Sequence, residues 1–314
     1  MLETLIGVIL ALVATIMFNL APIFQKGLVD DIPEIEIKNL GSSIKAMFQS
    51  PRWLLGTLMG VFGGIPYFFA LQLAGIIVVQ PLLNFGFIAM VIAANRMLGE
   101  SLDLKSKIAI LLMMIMPVFI AFADVSEAVT LTDPADFLLL NLIYTITILI
   151  TGLFGKKVPV LWAFTTGLCF SLGALNLQAV TLNIDFGQID TLISQIFGVL
   201  HWAILSGLFN IVGTFLAQIG LQRNEASKFN PINQTLNNTG ALLGGVVIFL
   251  QVPGSIPLYT IGFLMGAIGV AILGRYEITD ELIEERLESP LDTSEAVLQA
   301  DGLGNGSDED KNEN

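Results

Sequence analysis

Apolar blocks of about 18 to 25 residues, separated by short polar joints, recur along most of this chain, and that is the length a helix needs to cross roughly 30 Å of hydrocarbon. In lipid every backbone N–H and C=O must find a partner inside the protein, so only helices and closed barrels span a bilayer. Barrel strands alternate apolar and polar residues one by one, and these blocks do not. Composition points the same way: 54% of the 314 residues are hydrophobic and 13% charged, against about a quarter charged in a soluble domain. The sequence therefore predicts an all-α membrane protein.

Nine transmembrane helices account for the blocks, at about 4–27, 53–73, 76–98, 104–123, 137–154, 158–180, 196–221, 226–250 and 256–273. A polar, partly amphipathic segment at 30–51 separates the first two. The first block lacks a basic start and is too long for a cleaved signal, so it is expected to stay as a span. Residues 1–274 are expected to form one transmembrane domain. Residues 275–314 hold thirteen acidic side chains against Arg275, Arg286 and Lys311, a composition that predicts a disordered acidic tail.

Charge fixes the expected orientation. With nine crossings, all fourteen Lys and Arg residues fall on the side opposite the N-terminus. Basic residues are retained in the cytoplasm, which places the N-terminus outside and the tail inside, in the plasma membrane. Cys169 is the only cysteine, so no disulfide framework exists.

The stretch Leu71-Gln-Leu-Ala-Gly-Ile-Ile-Val-Val-Gln-Pro-Leu-Leu-Asn84 returns as Leu221-Gln-Arg-Asn-Glu-Ala-Ser-Lys-Phe-Asn-Pro-Ile-Asn-Gln234. At the same offset Leu55, Leu58 and Gly63 meet Leu205, Leu208 and Gly213, and with a shift of two Phe18 and Leu20 meet Phe170 and Leu172. Spans one to four (about 4–123) thus correspond to spans six to nine (about 158–274). Matched spans stand five crossings apart, an odd offset, so the halves are expected to be inverted in the membrane, the plan of many secondary transporters.

A first span ending in Gln25-Lys26-Gly27-Leu28, followed by Trp53, Gly56, Gly63, Phe68, Ala74, Val79-Gln80-Pro81-Leu82 and Leu98-Gly99-Glu100-Ser101-Leu102, resembles the drug/metabolite transporter superfamily. Within it the layout is similar to the EamA-like permeases and closest to the nine-span NIPA-type proteins, described as magnesium transporters. The resemblance covers about residues 4–274 and implies a carrier. NIPA-type proteins carry Gly-Glu-x-x-Asn in the second span; the matching positions here are Gly63-Gly64-Ile65-Pro66-Tyr67, without the carboxylate.

No ionisable residue lies in the middle of any span, so a buried proton-carrying carboxylate is not visible. Polarity is instead neutral and concentrated in the eighth span. Asn230, Asn233, Gln234, Asn237 and Asn238 follow the i, i+3, i+4, i+7, i+8 pattern of one helix face. Amides facing lipid would leave donors and acceptors unpaired, so this face is expected to point into the bundle. It reads as the wall of a solute cavity or as interhelical glue. Tyr67, Gln80 and Asn84 from the first half are expected to complete the site, with Asn19, Asn176 and Gln178 as matched polar positions. Gln25, Lys26, Gln72, Asn210 and Gln218 are weaker candidates. Trp53, Trp162 and Trp202, near span starts, are expected as interfacial anchors.

No Ser/His/Asp set, buried carboxylate pair or metal-ligand cluster marks an enzyme, and no cofactor is implied. The expected partners are the lipid bilayer and a small polar or organic solute, with a homodimer admissible and no nucleic acid. A NIPA-like carrier of Mg²⁺ is the alternative, and a membrane receptor signalling through the tail is a third class.

Overall fold

In the computed structural model of the chain, residues 2–29, 32, 35, 40–100, 102–123, 134–185 and 187–288 are described. Among them the regular structure is helical. The helices are α1 (Leu2–Val29), α2 (Leu40–Gln49), α3 (Pro51–Ala74), α4 (Ile76–Leu82), α5 (Phe87–Ala93), α6 (Leu104–Phe122), α7 (Pro134–Phe154), α8 (Leu161–Thr181), α9 (Leu192–Arg223), α10 (Ala226–Ile248) and α11 (Ile256–Glu288). Each of the nine expected blocks coincides with helix. Seven described segments are long and apolar enough to cross a membrane; α6 and α10 are not among them, and in α10 the amides dilute the apolar content. Helix α11 runs on to Glu288, past the expected end of the ninth span, and residues 289–314 of the acidic tail lie outside the described part.

The third block is not one uniform helix. Between α4 and α5 a 3-10 turn covers Leu83–Gly86, and a π turn at Ala94–Leu98 follows α5. A 3-10 turn shifts the hydrogen-bond ladder by one residue and needs outside partners for the displaced carbonyls. Helix α1 supplies them: Thr15 Oγ1 donates to the carbonyl of Leu82 at 3.2 Å and Asn19 Nδ2 to that of Leu83 at 3.0 Å. The break thus depends on α1 being in place.

Contacts sort the helix ends into two sets. At one end Lys26 Nζ donates to the carbonyls of Leu221 (2.7 Å) and Asn224 (3.1 Å), and Glu100 accepts from the amides of Ala226 (2.9 Å) and Ser227 (2.7 Å). At the other, Gln72 Nε2 donates to the carbonyl of Ile184 at 3.1 Å and the Ser255 amide to that of Ala123 at 2.9 Å. Helices α3, α4–α5, α6 and α8 to α10 therefore run alternately between the two ends, and the basic residues Lys26, Arg96, Lys105, Arg223 and Lys228 belong to one of them.

Helix α1 packs along α3 and α8 along α9, while α6 lies along α11 and α10 along α8 and α4. The two apposed pairs are built alike. A Cβ placed on Gly63 of α3 would stand 3.0 Å from the Phe18 ring and 3.1 Å from Met17 Cβ; one on Gly213 of α9 would stand 2.9 Å from the Phe170 ring and 3.2 Å from Cys169 Cβ. In both pairs glycine lets the neighbouring backbone come close beneath a phenylalanine.

Candidate solute site

A cavity of ≈ 600 Å³ lies between α1, α3, α8 and α9, with α10 as one wall. Its lining repeats across the two helix pairs. On α1 and α8 the lining positions Phe18, Ala21, Pro22 and Gln25 correspond at one constant spacing to Phe170, Gly173, Ala174 and Leu177. On α3 and α9 Gly60, Val61, Gly64 and Tyr67 correspond to Asn210, Ile211, Thr214 and Ala217 at the spacing of the repeated stretch.

The α10 wall is where this matching is lost. Asn230, Asn233, Gln234 and Asn237 all line the cavity, and from the other half of the chain only Leu83 stands at a corresponding position. Asn230, Asn233 and Asn237 are buried, and Asn230 Nδ2, Asn233 Oδ1 and Asn237 Oδ1 find no partner among the described residues. An unmatched buried amide atom costs about 1–3 kcal/mol, so this wall carries hydrogen-bonding capacity that the fold does not use. The helix that presents it is started from outside its own sequence. Glu225 at its N-cap makes no side-chain cap, and Glu100, placed by Gly99 at φ +73°, receives the first amides instead.

Other expected site residues take different places. Tyr67 and Asn19 line the cavity, though Asn19 spends its amide hydrogens on the carbonyls of Thr15 and Leu83. Gln80 donates to the Tyr67 hydroxyl and so stands behind the lining. Asn238 and Asn84 are not in the lining; Asn238 Nδ2 donates to Asn84 Oδ1, and Asn84 Nδ2 in turn to the carbonyl of Met113 at 2.9 Å. The fifth amide of the ladder is therefore glue between the halves. Asn176 donates to Asn141 Oδ1 at 2.9 Å, away from the lining, and Gln178, also outside it, is buried with neither amide atom partnered among the described residues.

Two of the expected interfacial tryptophans are interior. Trp162 is buried, and Trp53, at 2% exposure, lines the cavity and donates its indole N–H to Gln218 Oε1 at 3.2 Å. Gln218 Nε2 donates to Gln25 Oε1 and Gln25 Nε2 to Thr57 Oγ1, each at 3.1 Å. The chain of bonds joins α3, α9 and α1 at the basic end of the cavity. Thr57 and Thr214 were not singled out in the sequence, although their spacing from Gly60, Gly64 and Asn210 on one helix face was available to find them.

No Asp, Glu, Lys, Arg or His is among the described lining residues. Nor is there, among the described residues, a group of three or more His, Cys, Asp or Glu able to hold a metal ion. Aromatic rings and amides dominate instead, a surface suited to a neutral molecule with polar and apolar parts. No protein-family model, curated protein or solved structure matches the chain.

Proposed function

We propose that the chain is a multi-pass secondary carrier that moves a small neutral polar or organic solute by alternating access. The observation that carries this reading is the set of unpartnered amide atoms of Asn230, Asn233 and Asn237 facing a cavity lined in large part by matched positions of two helix pairs. Sites at the seam between repeats are how inverted-repeat carriers bind cargo. All nine helical blocks cross the membrane, in two inverted halves, with the N-terminus outside and the basic end in the cytoplasm. The matched contacts of Gly63 and Gly213 and the segregation of the helix ends support this arrangement.

Cross-half hydrogen bonds crowd the basic end: Lys26 to Leu221 and Asn224, Trp53 to Gln218, and Gln222 Nε2 to the carbonyl of Val29 at 2.9 Å. This is a conformation latched on the cytoplasmic side. The drug/metabolite transporter resemblance fits such a carrier. Mg²⁺ is the poorer cargo, because protein sites for it normally include a carboxylate.

Counterflow into liposomes reconstituted with the full chain tests the proposal. Preloading with a panel of neutral amides, nucleosides and sugars is expected to accelerate uptake of at least one labelled member. Flux of Mg²⁺ alone, or of nothing, would overturn it.

A further inference from the structure

We infer that the cavity is entered sideways from the bilayer, through a slot between α3 and α9, and that its cargo is an amphipathic molecule with a neutral polar group and a hydrocarbon part. This rests on the carrier reading and narrows the solute class.

Helices α3 and α9 face each other across the cavity with no packing seam between them: each lies along its own partner, α1 or α8, and the pairs meet only near their ends, α9 with α1 at the basic end and α3 with α8 at the opposite one. The face of α3 toward the cavity is low: a Cβ added to the lining residues Gly60 or Gly64 would meet nothing within 4 Å. Val61 and Ile211 both line the cavity and are nevertheless 64% and 59% exposed, so the lining is continuous with the outer surface there.

The slot lies at hydrocarbon depth. At 1.5 Å per residue Gly60 is roughly 14 Å along α3, whose full length is roughly 36 Å. What the slot opens to in a spanning bundle is acyl chain, not water. Asn210 lines the cavity from α9 with its side chain over Gly173 of α8, and its Nδ2 donates to the carbonyl of Ser206 at 2.8 Å. The same cavity holds the rings of Phe18 and Phe170 and the unpartnered amide atoms of Asn230, Asn233 and Asn237. A hydrocarbon part fits the rings and a neutral head group the amides. The uncharged lining belongs with this route, since an ionised solute would pay heavily to arrive through hydrocarbon.

The test uses the full chain in phosphatidylcholine vesicles with decanamide bearing a diazirine on its acyl chain, a neutral probe that partitions into the bilayer. After photolysis, adducts are mapped by mass spectrometry. Adducts are expected on the cavity segments of α8 and α10. In Gly60→Leu/Gly64→Leu, which walls the slot with side chains that have room, they should fall at least tenfold, while adducts at the outer surface around Leu149 stay unchanged. Val61→Trp repeats the test with a single substitution at an exposed position should the double variant fold poorly. Cavity adducts absent from the parent protein, or undiminished in the walled variants, would overturn the route. So would efficient disulfide formation between two chains carrying Val61→Cys, because a second copy would then cover the slot. Counterflow separates the two claims: a walled variant that still exchanges a water-soluble solute leaves the carrier and removes the side entrance. A parent protein without counterflow whose adducts respond to walling leaves the slot and removes the carrier.

Discussion

Gln218 of α9 donates its side-chain amide to Gln25 of α1 at 3.1 Å, tying the two halves of the chain together at the basic end of the cavity. Trp53 donates to the same Gln218, and Gln25 hands the chain of bonds on to Thr57. Such bonds are worth about 1 kcal/mol each, enough to bias but not to lock an equilibrium between conformations.

Gln218→Leu should therefore loosen the latch. It removes the acceptor of Trp53 and the donor to Gln25, about 2 kcal/mol in all. A cysteine at Asn230, in a Cys169→Ala background, is expected to react several-fold faster with a membrane-impermeant maleimide applied at the basic face. An unaltered rate would show that these bonds do not hold the end closed.

Glu100 receives the first two free amides of α10, so Glu100→Ala leaves that helix uncapped. The loss is expected to be about 1–2 kcal/mol, read as a lower melting temperature in detergent. Solute affinity should fall as well, because the amide wall begins within two turns of the cap. Glu100→Gln, which keeps one acceptor, should fall between the two.

The contacts of Gly63 and Gly213 predict paired costs. Gly63→Leu and Gly213→Leu each drive a side chain into a phenylalanine ring and its neighbour across the helix pair. Each is expected to cost about 1–3 kcal/mol. Similar losses of melting temperature support equivalent halves; a large loss at one position alone would argue that the repeat does not extend to packing.

The helical blocks and the amide face were legible in the sequence because both follow from period and length alone. Which amide does what was not. Asn233 and Asn238 lie on the same face, yet the first lines the cavity and the second bonds to Asn84, a distinction set by what the 3-10 turn at Leu83–Gly86 brings opposite α10. The 3-10 turn at Leu83–Gly86 was equally hidden, since its displaced carbonyls are stabilised by Thr15 and Asn19, more than 60 residues earlier. Trp53 looked like an interfacial anchor because a tryptophan at a span start usually is one. Gln218 and the α2 segment beside it make it interior, with Phe48 at 5.3 Å between ring centres.

Orientation is open to a direct check. A tag on the C-terminus should be protected from protease in intact cells and cleaved after permeabilisation. Cleavage in intact cells would reverse both the topology and the side on which the latch lies.

The central claim is that the α10 amides contact the solute, and Asn233→Ala/Gln234→Ala/Asn237→Ala tests it most directly. Counterflow of the solute exchanged by the parent protein is expected to vanish while expression and melting temperature in detergent are retained. Unchanged counterflow in the triple variant would contradict the account.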